Sequence, residues 1–326
     1  MPDHQVPLPP GAAGVPAGQI AAGIERWITA VPLGALIAHF GGDRPTGDLG
    51  GVLAALDDFS ARHWDFRAGR ERPEAREPAL DPATVRLVLD TATALGLVRP
   101  VAPARTDYAH LVVLGGLAHA CLRRTAHAAQ VVRSGRRVRG EVAVLGSFRP
   151  LSPDELRTLA EAGVDGCDTE VDALDAGVRM AFGVTGPVTQ NGVRHPDPHA
   201  SWSSRSYQPV GLPPVRVLAA PSSDPTARRA HTADTQHFWA GRVRLSPGDP
   251  VLMVTAPIYV PFQHCDALRT LALPYGCGID TVGIDPAAPW VRDLPEPTLT
   301  AGRYLQEIRS AIRAMRALHT ALGPGG

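Results

Sequence analysis

The chain has no lysine; all 32 of its basic residues are arginine. That absence rules out a Schiff-base lysine and the lysine of a P-loop. Charge of either sign is not in excess, because 32 acidic residues balance the arginines and the net charge is zero. The basic footprint of a nucleic-acid binder is therefore missing, and no nucleic-acid partner is expected. No CxxC pair occurs among Cys121, Cys167, Cys265 and Cys277, so these read as reduced, buried thiols. The opening residues lack a basic-then-apolar signal. The most apolar early run, residues 28–40, is too short to span a bilayer and contains Pro32. A cytoplasmic protein with no membrane partner is the expectation. There is no GxGxxG and no GxSxG, so neither a dinucleotide fingerprint nor a nucleophile elbow is present.

What is present is a long chain with a sizeable apolar fraction. Its 326 residues are 44% hydrophobic, enough for one large domain or two. The abundance of Arg, Ala, Gly and Pro fits a GC-rich bacterial genome. Residues 1–16, rich in Pro and Gly, read as a disordered tail. Residues 17–105 carry helical periodicity in three runs, the third opening with Asp81 as N-cap and Pro82 at the first helical position. Between the second and third runs, "RAGRERPEAREPA" reads as a charged loop. This predicts an α-helical N-terminal subdomain without catalytic groups.

From residue 106 the texture changes. Short apolar strands at 109–116, 141–147, 215–221, 250–255 and 278–284 alternate with helical stretches, and a last helix runs from about Leu299 to Leu322. Alternation of that kind predicts an α/β domain over 106–326, a parallel sheet with helices on both faces. An insertion at 167–214 holds one helical run and a polar stretch, "TQNGVRHPDPHASWSSRSYQPVG", expected to be a mobile lid.

Successive strand ends carry small or hydroxyl residues: Gly115 and Gly116, Gly146 and Ser147, Ser222 and Ser223, and Thr255. Such turns let backbone approach a ligand, and the helix starts beyond them favour anions. Thr255 closes the apolar run Val251–Val254 and, with Tyr259 beyond Pro257, offers hydroxyl donors. His231 and Asp234 are spaced i, i+3 and could act as an acid/base pair, whereas an ordinary helix-surface pair is the bland alternative. Glu155 sits in Ser152-Pro153-Asp154-Glu155, which reads as a capping box or as a catalytic carboxylate. His195, Asp197 and His199 suggest a metal, but the intervening prolines and the lack of a partner cluster favour a polar loop. No metal site is assigned.

The order LGG, then Arg124 with "AHAAQVVRSG", then "VAVLGS…SPDE", then "SSDPTARRAHTADT", then "VLMVT" resembles the YdcF/SanA/ElyC group, domain of unknown function 218, over roughly residues 109–285. His231 stands where that group has Asn, before a matching Thr232, and the arginine that closes the group's last motif is missing. The resemblance implies a Rossmann-like fold and a cleft into which Arg124 points. With the motif reading it places ligand contacts at Gly115, Gly116, Arg124, Gly146, Ser147, Ser223, Thr232, Thr255 and Tyr259. The leading expectation is an enzyme acting on a small anionic substrate, a nucleotide, nucleoside derivative or sugar phosphate, by hydrolysis or group transfer through His231, Asp234 and Glu155. The alternatives are a non-catalytic protein binding S-adenosylmethionine or a nucleotide, and a pathway scaffold whose N-terminal helices form a homo-oligomer.

Overall fold

The computed structural model describes residues 5–66 and 79–323. The charged stretch expected as a loop at 67–79 lies almost wholly outside the described residues. Four helices come first: α1 (Ala17–Ile28), α2 (Val31–His39), α3 (Leu49–Trp64) and α4 (Pro82–Ala94). The Asp81 side chain accepts from the amides of Ala83 and Thr84, so α4 starts where the Asp-Pro signal predicts. The α/β region follows with β1 (Asp107–Tyr108), β2 (His110–Leu114), α5 (Ala118–Arg133), β3 (Arg137–Val138), β4 (Val142–Gly146), α6 (Pro153–Glu161), α7 (Glu170–Phe182), β5 (Thr189–Val193), β6 (Trp202–Tyr207), β7 (Val215–Ala219) and α8 (Thr232–Ala240). Next come β8 (Pro250–Thr255) and α9 (Val260–Ala267), which continues through a π-helical stretch into α10 (Leu273–Tyr275). The chain closes with β9 (Gly278–Gly283), α11 (Pro289–Arg292) and α12 (Ala301–Leu322).

The main sheet has the order β5-β6-β7-β4-β2-β8-β9. Strands β7, β4, β2, β8 and β9 are parallel, so all five strands expected to share one parallel sheet do so. Their apolar residues bury both faces. Val112, Leu114, Leu145 and Met253 face one core, while Leu111, Val113, Val144 and Val254 face the other. That two-sided burial is why these strands are continuous apolar runs and not alternating ones. The second face is covered by α5 and α7; the first by α8, α9 and α12. Helices α1, α3 and α4 pack onto α12 and α2 onto α4, and their apolar side chains are part of the same core cluster as the first face.

Three expectations change. Residues 5–16 are not loose: Val6 N donates to Ala94 O, Ile279 N to Gly11 O, and His264 Nε2 contacts Pro9 O, so this segment covers the β9 edge. Its prolines cannot donate, but Gly11 O finds a partner on β9, Pro9 O on α9 and Val6 N on α4. The polar stretch at 189–207 is not a lid but an antiparallel hairpin, β5–β6, added to the β7 edge. Arg205 bonds Asp172 and Asp175, and Tyr207 donates to Asp175, which ties the hairpin to α7. Finally, "DPTARRAHTADTQHFWAG" reads in sequence as one helical stretch, but it begins with a turn at 224–227 and becomes helical only at α8.

Among the described residues no single helix is long and apolar enough to cross a membrane. Helices α1 and α2 together meet that length and composition, with a 46° bend. Ile24, Trp27, Leu33 and Leu36 are nevertheless buried in the protein core.

Candidate functional site

The carboxyl ends of the central strands end in register, and a cleft of about 1020 Å³ opens above them. Its floor is the β2 and β4 turns, with Gly115, Gly116, Gly146 and Ser147. Its walls are the starts of α6 and α8, and Phe262 and Gln263 of α9. Thus the structure brings seven of the twelve expected residues to one cleft: Gly115, Gly116, Gly146, Ser147, Glu155, His231 and Thr232. This is the place that parallel-sheet geometry favours for a ligand.

Gly115 is required there. A Cβ on it would lie 2.6 Å from Glu170 Oε1 and 2.8 Å from the Leu145 carbonyl. Arg124 is only 1% exposed and does not reach the cleft. Its guanidinium curls under the β2 turn, donating to the Leu114 carbonyl (2.7 Å) and the Gly115 carbonyl, with the Tyr259 ring 5.4 Å from it. Arg124 therefore positions the turn, and Tyr259 packs on Arg124 outside the cleft lining.

Glu155 is a structural carboxylate. It closes the capping box with Ser152, accepts from the Ala118 amide, and forms a bidentate pair with Arg149 at 2.8 Å for each oxygen. Burial opposes its charge, but the Arg149 and Ser152 hydrogen bonds outweigh that and lower its pKa. A carboxylate so held stays ionised and is a poor general acid. Asp234 has the same fate. It accepts from the Ser223 and His231 amides and from Arg228, and these bonds overcome burial to hold it well below the usual carboxylate range. Ser223 is engaged as well, its hydroxyl accepting from Arg228.

His231 is different. It is the N-cap residue of α8, its side chain is 53% exposed, and its Nδ1 lies 3.2 Å from Asp234 Oδ2. Its side chain and that of Asp234 form the capping box that opens α8.

Thr255, expected to reach the cleft, is wholly enclosed. Among the described residues its Oγ1 has no hydrogen-bond partner, and its carbonyl accepts from Ile284 N. Pro257 packs so closely on Gly283 that a Cβ there would be 2.8 Å from Pro257 Cα, which seals this strand end.

Several lining residues carry no sequence signal that singles them out. Arg149, Glu170, the Arg228–Arg229 pair and Gln263 come from separate segments and meet only in space, joined by His199 of the HPDPH stretch. Nearby His119 is pushed down to about 4 by burial and by the Arg124 and Arg123 charges, so it is neutral at neutral pH. Burial pushes the Cys121 thiol up to about 12, which leaves it unreactive.

Residues 11–96 match the family model described as the Rv3785 N-terminal domain. Uncharacterized protein Rv3785 of Mycobacterium tuberculosis and Uncharacterized protein Mb3814 of Mycobacterium bovis are each 33% identical to the chain, over 90% of it and 88% of their own length. No solved structure matches it. These matches overturn the resemblance to the YdcF/SanA/ElyC group: they begin in the N-terminal helices that the resemblance left out. With a relative at this identity matched across most of both chains, the protein belongs to the Rv3785 family.

Proposed function

We propose that this chain is a Rossmann-like enzyme acting on a small substrate with an anionic group. The observation that carries the reading is the cleft at the carboxyl ends of β2 and β4. In chain order the five parallel strands lie third, second, first, fourth, fifth, so the direction reverses between β2 and β8, and the cleft reaches that point through the β2 turn and Phe262 and Gln263 of α9. Polarity inside the cleft is divided. At the β2 and β4 turns, Glu155 and Glu170 accept from the Ala118 and Ser147 amides that a phosphate would otherwise use. At the β7–α8 turn, Arg228 and Arg229 line the cleft, Arg228 paired with Asp234, beside the first amides of a nine-residue helix. The anion is therefore best seated at the α8 end. His231 Nε2 supplies the proton transfer for hydrolysis or group transfer, oriented by Asp234.

A non-catalytic nucleotide- or S-adenosylmethionine-binding protein is the second reading. What favours it is that two of the three expected acid/base groups, Glu155 and Asp234, are committed to structural bonds. One experiment separates the two. A thermal-shift screen of nucleotides, sugar phosphates and S-adenosylmethionine identifies a stabilising ligand, and turnover of that ligand is then measured in wild type and His231→Gln. The enzyme reading expects turnover that falls by about 10²–10⁴-fold with binding retained. Turnover unaffected by His231→Gln removes the assigned base; no anionic ligand that binds removes the reading itself.

A further inference from the structure

The two edges of the main sheet are treated differently. At β9, residues 5–12 lie along the strand, with Ile279 N donating to Gly11 O and His264 Nε2 contacting Pro9 O. At the opposite edge, β5 pairs with β6 on one side and, among the described residues, with no strand on the other. All five of its residues are exposed. An exposed edge is a template for another strand, and proteins guard such edges with a charge, a proline or a bulge. Thr189-Gln190-Asn191-Gly192-Val193 has no charge and no proline, and its ladder with β6 runs on without a bulge. The nearby arginines are engaged within the protein. Arg194 lies over the Phe148 ring at 4.2 Å, and Arg205 pairs with Asp172 and Asp175. Val188 and Val193, at the two ends of the strand, are 68% and 51% exposed.

We propose that β5 is a homodimer interface, where β5 of a second copy of this chain pairs antiparallel about a twofold axis at Asn191. The two seven-stranded sheets then become one. The choice of occupant follows from the charge of the edge. A neutral strand offers no counter-charge to an acidic or basic peptide, but sets no like charges together when it meets itself. Centred on Asn191, all five residues find a place. Thr189 of each copy stands opposite Val193 of the other, a β-branched pair, and Gln190 stands opposite Gly192. Association stops at two copies, because the twofold uses the β5 edge of both and residues 5–12 already cover β9. The inference goes beyond the proposed activity and does not rest on it. It still bears on the cleft. The β5–β6 connection carries His199 to the cleft lining, and the His199 carbonyl accepts from Ser222 N. Pairing of β5 therefore holds the hairpin from which His199 reaches the cleft.

Sedimentation velocity of the full chain, over a wide range of concentration, tests the assembly. Wild type is expected to form a dimer and no larger species. Asn191→Lys sets two like charges face to face at the axis, yet lysine is well tolerated on the free edge of a monomer. It should raise the dimer Kd by about tenfold or more. Asn191→Cys reads the register. Opposed Cα atoms in an antiparallel pair are about 4.5–5.5 Å apart, within disulfide reach, so mild oxidation should give a covalent dimer that reductant reverses. The native cysteines are buried, and Leu156→Cys, at an exposed position on α6, is the control that should not cross-link. A wild-type chain that stays monomeric at every concentration overturns the proposal. So does a dimer that Asn191→Lys leaves intact, or one in which Asn191→Cys cross-links no faster than Leu156→Cys. If Asn191→Lys does not fold, the cross-link decides.

Discussion

Thr255 is a hydroxyl at the end of an apolar strand, enclosed and without a hydrogen bond among the described residues. Desolvating it without a partner opposes folding. Thr255→Val keeps the shape and removes the polar atom, so it should stabilise the protein by about 1 kcal/mol or more. Differential scanning calorimetry would show a raised Tm, and ligand affinity at the cleft should not change. A lowered Tm would mean that the hydroxyl has a partner after all. His127 presents a related case in an ionisable group. Both ring nitrogens are buried without partners beside Trp290, and burial pushes its pKa down to about 4. Between about pH 6.5 and 4 the unfolded chain binds this proton and the folded chain does not. Stability is therefore full above pH 6.5 and falls as the pH drops towards 4, by up to about 3 kcal/mol for this one group. In His127→Phe that share disappears. Denaturant unfolding at pH 7.5 and pH 4.5 should show a smaller difference for the variant than for wild type; an equal difference would refute the assignment.

Elements are held together by charges that the cleft does not spend on ligand. The Glu155–Arg149 pair joins the start of α6 to the β4 turn, and through the Ala118 amide to α5. Glu155→Gln leaves a largely buried guanidinium without its counter-charge and loosens the cap. A cost of about 3–5 kcal/mol is expected, measured by denaturant unfolding. The β5–β6 hairpin depends on Arg205 and Tyr207 meeting Asp172 and Asp175. Arg205→Ala should raise amide exchange in residues 189–207 while leaving β2 and β4 protected. Uniformly faster exchange would mean that the hairpin is integral to the sheet's stability and not an appended edge.

For the whole molecule, α12 is the connection. It packs against α1, α3 and α4 on one side and α9 on the other, and Leu305, Ile308, Ile312 and Met315 are fully buried. The N-terminal helices thus have no core independent of the last helix of the chain. One cooperative thermal transition is the expected behaviour, seen alike by far-UV circular dichroism and tryptophan fluorescence. Two separated transitions would instead define an autonomous N-terminal subdomain.

Much of this was written locally. Two-sided apolar runs such as Val251–Val254 report a covered parallel strand, Asp81-Pro82 reports a helix start, and Ser152 to Glu155 reports a capping box; each depends on neighbours in sequence. The turns at Gly115 and Gly146 were legible as a carboxyl-end cleft for the same reason. Side-chain direction is a different matter. Whether Thr255 opens to the cleft or is sealed by Pro257 against Gly283, and whether Arg124 points into the site or under it, depends on segments far along the chain. The path of residues 5–12 along β9 and the pairing of the 189–207 stretch with β7 depend on an available strand edge, which no local pattern encodes. The same holds for Glu170 and Gln263. Glu170 accepts from Ser147, and Gln263 Oε1 has no partner among the described residues; both outcomes are decided by tertiary packing alone.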